Sequence, residues 1–150
     1  QYFDTMLLPD APDAIAPDGS QVRVLLRLDG GSMAHFGLAA GQVSRAVAHH
    51  AVGELWYVLS GHGQMWRRQQ DRQETVSLRP GTCLSIPAGT HFQFRADDDG
   101  PLAAVGVTMP PWPGEGEAYD DAVDDRVLEH CRMRVPNTTE RRGSRRVGCT

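Results

Sequence analysis

The sequence predicts an all-β domain built from two facing antiparallel sheets, and three observations carry that prediction. From Gln21 onward, short extended runs recur at nearly regular intervals. Gly, Asp and Pro clusters separate them. The length, 150 residues, suits one core.

Residues 1–20 read as an N-terminal arm. The stretch from Pro9 to Ser20 holds three prolines and reads as a connector, with an extra edge strand expected over 1–8. Strands are predicted over 21–28, 32–38, 42–49, 54–60, 63–68, 73–78, 82–86, 90–96 and 102–108. The intervening turns carry residues that tolerate positive φ or preset a bend: Asp29-Gly30-Gly31, Gly61-His62-Gly63, Arg79-Pro80-Gly81 and Pro87-Ala88-Gly89. After Met109, the run Pro110-Pro111-Trp112-Pro113-Gly114 is a rigid extended loop that no central strand accommodates, so the barrel and this loop span 21–114. A short amphipathic helix is expected within 115–136, where Ala118, Ala122, Val123, Val127 and Leu128 recur at helical spacing. Residues 137–150 carry Arg141, Arg142, Arg145 and Arg146 against Glu140, with little to bury, and read as a disordered basic tail.

All 15 basic residues are arginine. Without lysine there is no Schiff-base amine and no P-loop lysine, and proton transfer falls to His, Asp, Glu, Tyr or Cys. A hydrophobic share of 40% with 23% charged residues is globular composition and not that of a disordered chain. The net charge of -4 argues against a nucleic-acid partner. Cys83, Cys131 and Cys149 are odd in number and lack a CxxC pair, so no disulfide framework or structural zinc site is encoded, and a reducing cytoplasm is the expected setting. No apolar run approaches the ~20 residues of a membrane span, and no signal peptide is visible.

Two segments combine turn glycines with imidazoles and a carboxylate. The first reads Gly41-x5-Val47-Ala48-His49-x4-Glu54-x6-Gly61, and the second Gly81-x5-Pro87-Ala88-Gly89-Thr90-His91. Over about 42–108 these spacings resemble the two signature motifs of the cupin superfamily, G(X)5HXH(X)3-4E(X)6G and G(X)5PXG(X)2H(X)3N. The resemblance implies an antiparallel jelly-roll barrel, a homodimer, and an interior that often holds one divalent metal ion. The segment from Val107 to Gly114 also resembles a stretch that follows the barrel in a group of largely uncharacterised bacterial cupins, and it is expected either to cover the barrel mouth or to pack between subunits.

Three histidines and one glutamate usually ligate the metal in that family, and this chain departs from the pattern. Val47 stands at the first histidine position and His49 at the second when four residues precede Glu54. With three intervening residues His50 becomes the second histidine, and Ala48 stands at the first. His91 follows Gly89 by one residue instead of two, and Arg95 replaces the asparagine. The resemblance thus implies a reduced metal set of His49, Glu54 and His91, with Glu54 and His91 as the catalytic groups and His50 and Gln93 as alternative ligands. Such a set leaves coordination positions open; zinc, iron, nickel, copper and manganese are the candidate ions.

Strand phase supplies a second reading. Alternate residues share a face, which groups Glu54 with Trp56, and His91 with Gln93 and Arg95. A buried carboxylate needs a metal or an arginine beside it, and Arg45 is the candidate arginine. Arg45, Trp56, Gln64 and Arg95 complete the expected pocket. His35 reads as a core or pocket residue, His62 as exposed in its turn, and His130 as a surface residue of the helix. The resemblance implies a metal-dependent enzyme of secondary metabolism acting on a small organic molecule (oxygenase, cyclase, isomerase or bond-forming); the alternative is a metal-free ligand-binding or sensing cupin with Glu54 paired to arginine.

Overall fold

A computed structural model describes residues 1–16 and 18–120, and the expected extended runs pair there into two antiparallel sheets. The strands are β1 (Ala14–Ile15), β2 (Gln21–Leu28), β3 (Gly31–Leu38), β4 (Val47–His49), β5 (Gly53–Ser60), β6 (Gly63–Gln69), β7 (Arg72–Leu78), β8 (Cys83–Ile86), β9 (His91–Ala96), β10 (Leu102–Met109) and β11 (Ala118–Asp120). One sheet runs β1-β2-β3-β10-β5-β8 and the other β11-β4-β9-β6-β7. Chain neighbours β5 and β6 lie in different sheets, which is the crossover pattern of a jelly roll.

Period-two alternation sorts the side chains. On β5, Glu54, Trp56 and Val58 are buried while Leu55 and Tyr57 are exposed. The same phase on β10 turns Leu102, Ala104, Gly106 and Thr108 inward. From the second sheet, Val47, Met65, Leu78, Phe92, Phe94 and Ala96 close the core. Phe36 stacks on Trp56 with centroids 5.1 Å apart, and Phe94 meets the same indole edge-on at 4.9 Å. Gly106 makes that stack possible, because a Cβ there would lie 2.7 Å from the Phe36 ring.

Three expectations need correction. Residues 1–8 form no strand; the edge strand is β1, which pairs Ala14 with Val22 and Ile15 with Gln21. The run expected over 42–49 is a strand only from Val47, because Val43 makes an isolated bridge to Arg95 while Val47 pairs with Phe92, which leaves one extra residue as a bulge between those two pairings. Ala118–Asp120 do not begin a helix: they pair as β11 with β4, placing Ala118 opposite His49. A three-residue run fits either period, and the open edge of β4 decides in favour of the strand. The rest of the expected helix, with His130, and the expected basic tail lie outside the described residues.

Candidate functional site

The interior face of the first sheet becomes polar at one end. Cross-strand register aligns Ser32 of β3, Thr108 of β10 and Glu54 of β5 in one row, and the Ser32 and Thr108 hydroxyls hydrogen-bond each other. Next to this row the chain encloses a cavity of about 300 Å³ whose walls are mainly apolar. Phe36 and Trp56 form one wall, and Val47, His49 and Phe92 of the second sheet form the other. The proline-rich loop supplies a lid: Trp112 lines the cavity, its backbone N–H donates to Ser32 Oγ at 2.9 Å, and its ring meets His49 edge-on at 4.9 Å.

Glu54 is 5% exposed. Its Oε2 accepts the Trp56 indole N–H at 2.5 Å, and its Oε1 lies 3.7 Å from His49 Nδ1. Burial pushes the carboxyl up to about 7; the indole hydrogen bond opposes that shift, and the negative charge of Asp18 adds to it. Burial lowers the His49 imidazole, against the charge of Glu117, so His49 is neutral near pH 7. Its Nδ1 is buried and has no hydrogen-bond partner. Glu117 accepts the N–H groups of Ala51 and Val52, both at 2.6 Å, and so fixes the turn that leads from His49 to Glu54.

The structure brings together His49, Glu54 and Trp56 but not the remaining expected residues. β9 buries Phe92, Phe94 and Ala96 in the core, so His91, Gln93 and Arg95 face the other side of their sheet. His91 meets the ring of Tyr119 edge-on at 6.0 Å, and the exposed His50 packs on the same ring at 4.4 Å. Gln93 donates to the Ser44 carbonyl at 2.9 Å, and Arg95 donates to Gln64 Oε1 at 2.7 Å. Arg45 is exposed and pairs with Asp120, not with Glu54. The expected pocket roles of Arg45, Gln64 and Arg95 and the expected ligand role of His91 are corrected accordingly. The bulge before Val47 breaks the phase that pointed Arg45 inward, and three apolar alternates on β9 outweigh one imidazole.

A resident divalent metal does not fit this donor set. Of the four positions that ligate it in the cupin pattern, Val47 fills the first and Phe92 turns inward at the fourth. His49 and Glu54 remain. Among the described residues no group of three or more His, Cys, Asp or Glu side chains is arranged to hold a metal ion, and catalytic sites need about three protein ligands. His35, the other buried histidine, lies on the opposite face of β3 beside Arg23; burial first and that charge second lower its imidazole. His62 is exposed, as its turn predicted.

Two layers of antiparallel strands around an apolar cavity define a small jelly-roll barrel with a ligand-sized interior. The chain belongs to the cupin domain family, whose profile matches residues 34–108, half of the sequence. Cupins often bind a metal ion, which makes the two-donor interior a departure within the family. Solved structures with the same fold include an uncharacterized conserved protein with a double-stranded beta-helix domain from Klebsiella pneumoniae, at 16% identity and a TM-score of 0.56, covering 70% of this chain and 86% of that one. The capsular polysaccharide assembling protein CapF from Staphylococcus aureus is 17% identical with a TM-score of 0.61, covering 70% of this chain and 32% of that one. An oxalate oxidase in complex with the substrate analogue glycolate is 22% identical with a TM-score of 0.58, covering 74% of this chain and 59% of that one. This chain therefore spans about a third of CapF and under two thirds of the oxalate oxidase. Among curated proteins, none matches. Among the described residues, no helix is long and apolar enough to cross a membrane.

Sequence reasoning missed Asp18 and left the loop that carries Trp112 open between the barrel mouth and a subunit interface. Trp112 sits in the proline-rich loop, but its contact with His49 spans more than sixty residues of sequence. Asp18 lies in the arm read as a connector, yet it is 6% exposed and lines the cavity. The Asp18-Gly19-Ser20 run was the available signal, since such triplets form side-chain-capped turns.

Proposed function

We propose that this cupin takes a small, mainly apolar organic molecule into the barrel and acts on its one polar group with Glu54 and His49, without a resident metal. The observation that carries this reading is the Glu54 carboxyl at the wall of the apolar cavity, tied by Trp56 on one oxygen and 3.7 Å from a neutral imidazole on the other. A carboxyl with a pKa of about 7 is poised to accept and return protons at neutral pH. Aromatic walls recognise a flat or cyclic body, and the Trp112 lid excludes water from the polar end. The rival arrangement, a Glu54–arginine pair, is not formed by the described residues.

The test is calorimetric titration of the full chain with 2-naphthol, a flat apolar probe with one hydroxyl. Saturable one-site binding with Kd on the order of 100 µM is expected. Ala34→Phe, which fills the cavity from β3, is expected to weaken it about tenfold or more while the protein stays folded. Binding that ignores Ala34→Phe overturns the site. Tight uptake of about one equivalent of zinc, iron, nickel, copper or manganese, lost in Glu54→Gln, overturns the metal-free part.

We further propose that the protein is a cytoplasmic homodimer. The outer face of the first sheet supports a second copy as the partner: Met33, Val107 and Leu55 form one cross-strand row there, and Leu55 and Tyr57 are 52% and 48% exposed. Exposed Cys83, unpaired, suits a reducing compartment. Light scattering is expected to give about twice the 16.4 kDa chain mass, falling to one chain in Leu55→Asp. A monomeric wild type, or a dimer indifferent to Leu55→Asp, removes this face from consideration.

A further inference from the structure

A second carboxyl faces the cavity, and its placement is built into the arm. Beside Asp18, the Gly19 N–H donates to the Ala16 carbonyl at 2.9 Å and the Ala16 N–H to the Ser20 carbonyl at 2.8 Å, which makes a tight turn. Asp18 Oδ1 accepts both the Ser20 N–H at 2.9 Å and the Ser20 hydroxyl at 2.6 Å, which fixes the carboxyl. The turn is pinned to the segment that leads into β4, because the Arg45 N–H donates to the Asp18 carbonyl and Gln42 Nε2 to the Gly19 carbonyl. Asp18 thus lines the same cavity as Glu54, and its charge is felt there.

The charged and titratable groups lining the cavity are Asp18 from the turn, His49 from β4, Glu54 from β5, and Arg27, exposed near the end of β2, with Glu117 acting on His49 from behind. The deep ionisable groups are thus two carboxyls and an imidazole whose Nδ1 is buried without a hydrogen-bond partner. The Ser32 and Thr108 hydroxyls, bonded to each other, also line it, and most of the remaining lining is apolar or aromatic. An anionic ligand meets two buried carboxyls at low dielectric; a group rich in N–H donors meets carboxyl oxygens and the unpartnered His49 Nδ1. An ammonium carries three donors and one positive charge, and the aromatic faces of Trp56 and Phe36 favour a cation as well.

We propose that the cavity binds a primary amine with an apolar body, its ammonium held by Asp18 together with Glu54 and His49. This rests on the reading of the cavity as a small-molecule site, and it assigns Asp18 as the residue that selects the charge of the ligand. Burial raises the Asp18 carboxyl against the pull of its Ser20 hydrogen bonds, so an ammonium is the partner that makes ionisation of the buried acids favourable.

The test compares three probes on the full chain at pH 8 by calorimetry: 2-(aminomethyl)naphthalene, 2-naphthol and 2-naphthoate. The amine is expected to bind about tenfold tighter than the naphthol, and the naphthoate about tenfold weaker than the naphthol or not measurably. Asp18→Asn keeps an oxygen for Ser20 and is expected to cut the amine-to-naphthol preference about tenfold. Glu54→Gln, which leaves the turn untouched, is expected to reduce the same preference and guards against a folding defect in the first variant. Naphthoate binding as well as the amine, or an amine preference unchanged in Asp18→Asn, overturns the proposal. Binding of none of the three overturns the small-molecule reading beneath it.

Discussion

Replacing Glu54 by glutamine is expected to stabilise the protein above neutral pH and to leave it little changed in acid. The carboxyl ionises near 4.5 in the unfolded chain and near 7 in the folded one, because burial raises it. The folded state therefore binds this proton more tightly, and the stability it contributes is fully present below 4.5 and is lost as pH rises toward 7. The span corresponds to about 3 kcal/mol. Glutamine keeps an oxygen for the Trp56 indole and has no charge to desolvate. Buried His35 and His49 work in the opposite sense: their lowered values contribute stability above the ordinary imidazole range that is lost in acid. The wild-type profile alone is thus blunted, and the variant-minus-wild-type difference is the informative quantity. Urea titrations at half-unit steps from pH 4.5 to 8 are expected to show that difference growing by about 3 kcal/mol and levelling off above pH 7. A difference that stays constant with pH means that Glu54 is solvated, and the acid–base reading then loses its basis.

The same carboxyl shows which parts of the molecule are legible in the sequence. Glu54, Trp56 and Val58 can be assigned to one face because β5 alternates without interruption, and glycine and proline turns mark the ends of most strands. The motif spacing leads to His49 and Glu54 for the same reason: both lie on short regular strands. His91 is misplaced by a motif one residue short, which conflicts with the strand's own composition. Phe92, Phe94 and Ala96 against His91, Gln93 and Arg95 is an unequal choice for a buried face, and it sets the register. Arg45 fails differently, since alternation does not carry back through a segment that bulges before Val47. Asp18 and Trp112 reach the cavity through contacts distant in sequence. Local pattern holds no record of such contacts; the turn that buries Asp18 is held by hydrogen bonds from Arg45 and Gln42, in the segment before β4 that the arm meets only after folding.

The corner that joins the two sheets is the most demanding place in the fold, and Gly63→Ala is expected to be the most damaging single substitution considered. β5 leaves the first sheet at Ser60 and β6 enters the second at Gly63, so the chain crosses the barrel in the Gly61-His62-Gly63 turn. The crossing runs close against other backbone. A Cβ on Gly63 would lie 1.9 Å from the Arg95 carbonyl oxygen, and one on Gly61 would lie 2.0 Å from that of Pro101. Neither obstacle is a side chain that can swing away. Gly61 also has φ of 81°, which a Cβ disfavours, whereas Gly63 needs no left-handed backbone, so its substitution isolates the steric cost. Gly89 is the complementary control, with φ of 79° and nothing within 4 Å of where a Cβ would stand, so alanine there is expected to cost only about 1 kcal/mol. Relieving the clash at Gly63 requires β6 and β9 to separate where Gly63 pairs with Ala96, and that pairing carries Met65 and Phe94 into the core. A loss of about 3 kcal/mol or more is expected in urea unfolding, a large part of the ~5–15 kcal/mol that holds a domain of this kind together. The second sheet also holds the His49 and Phe92 wall of the cavity, so the variant is expected to lose 2-naphthol binding along with stability. A Gly63→Ala protein as stable as Gly89→Ala would mean that the two sheets do not meet at this corner as described.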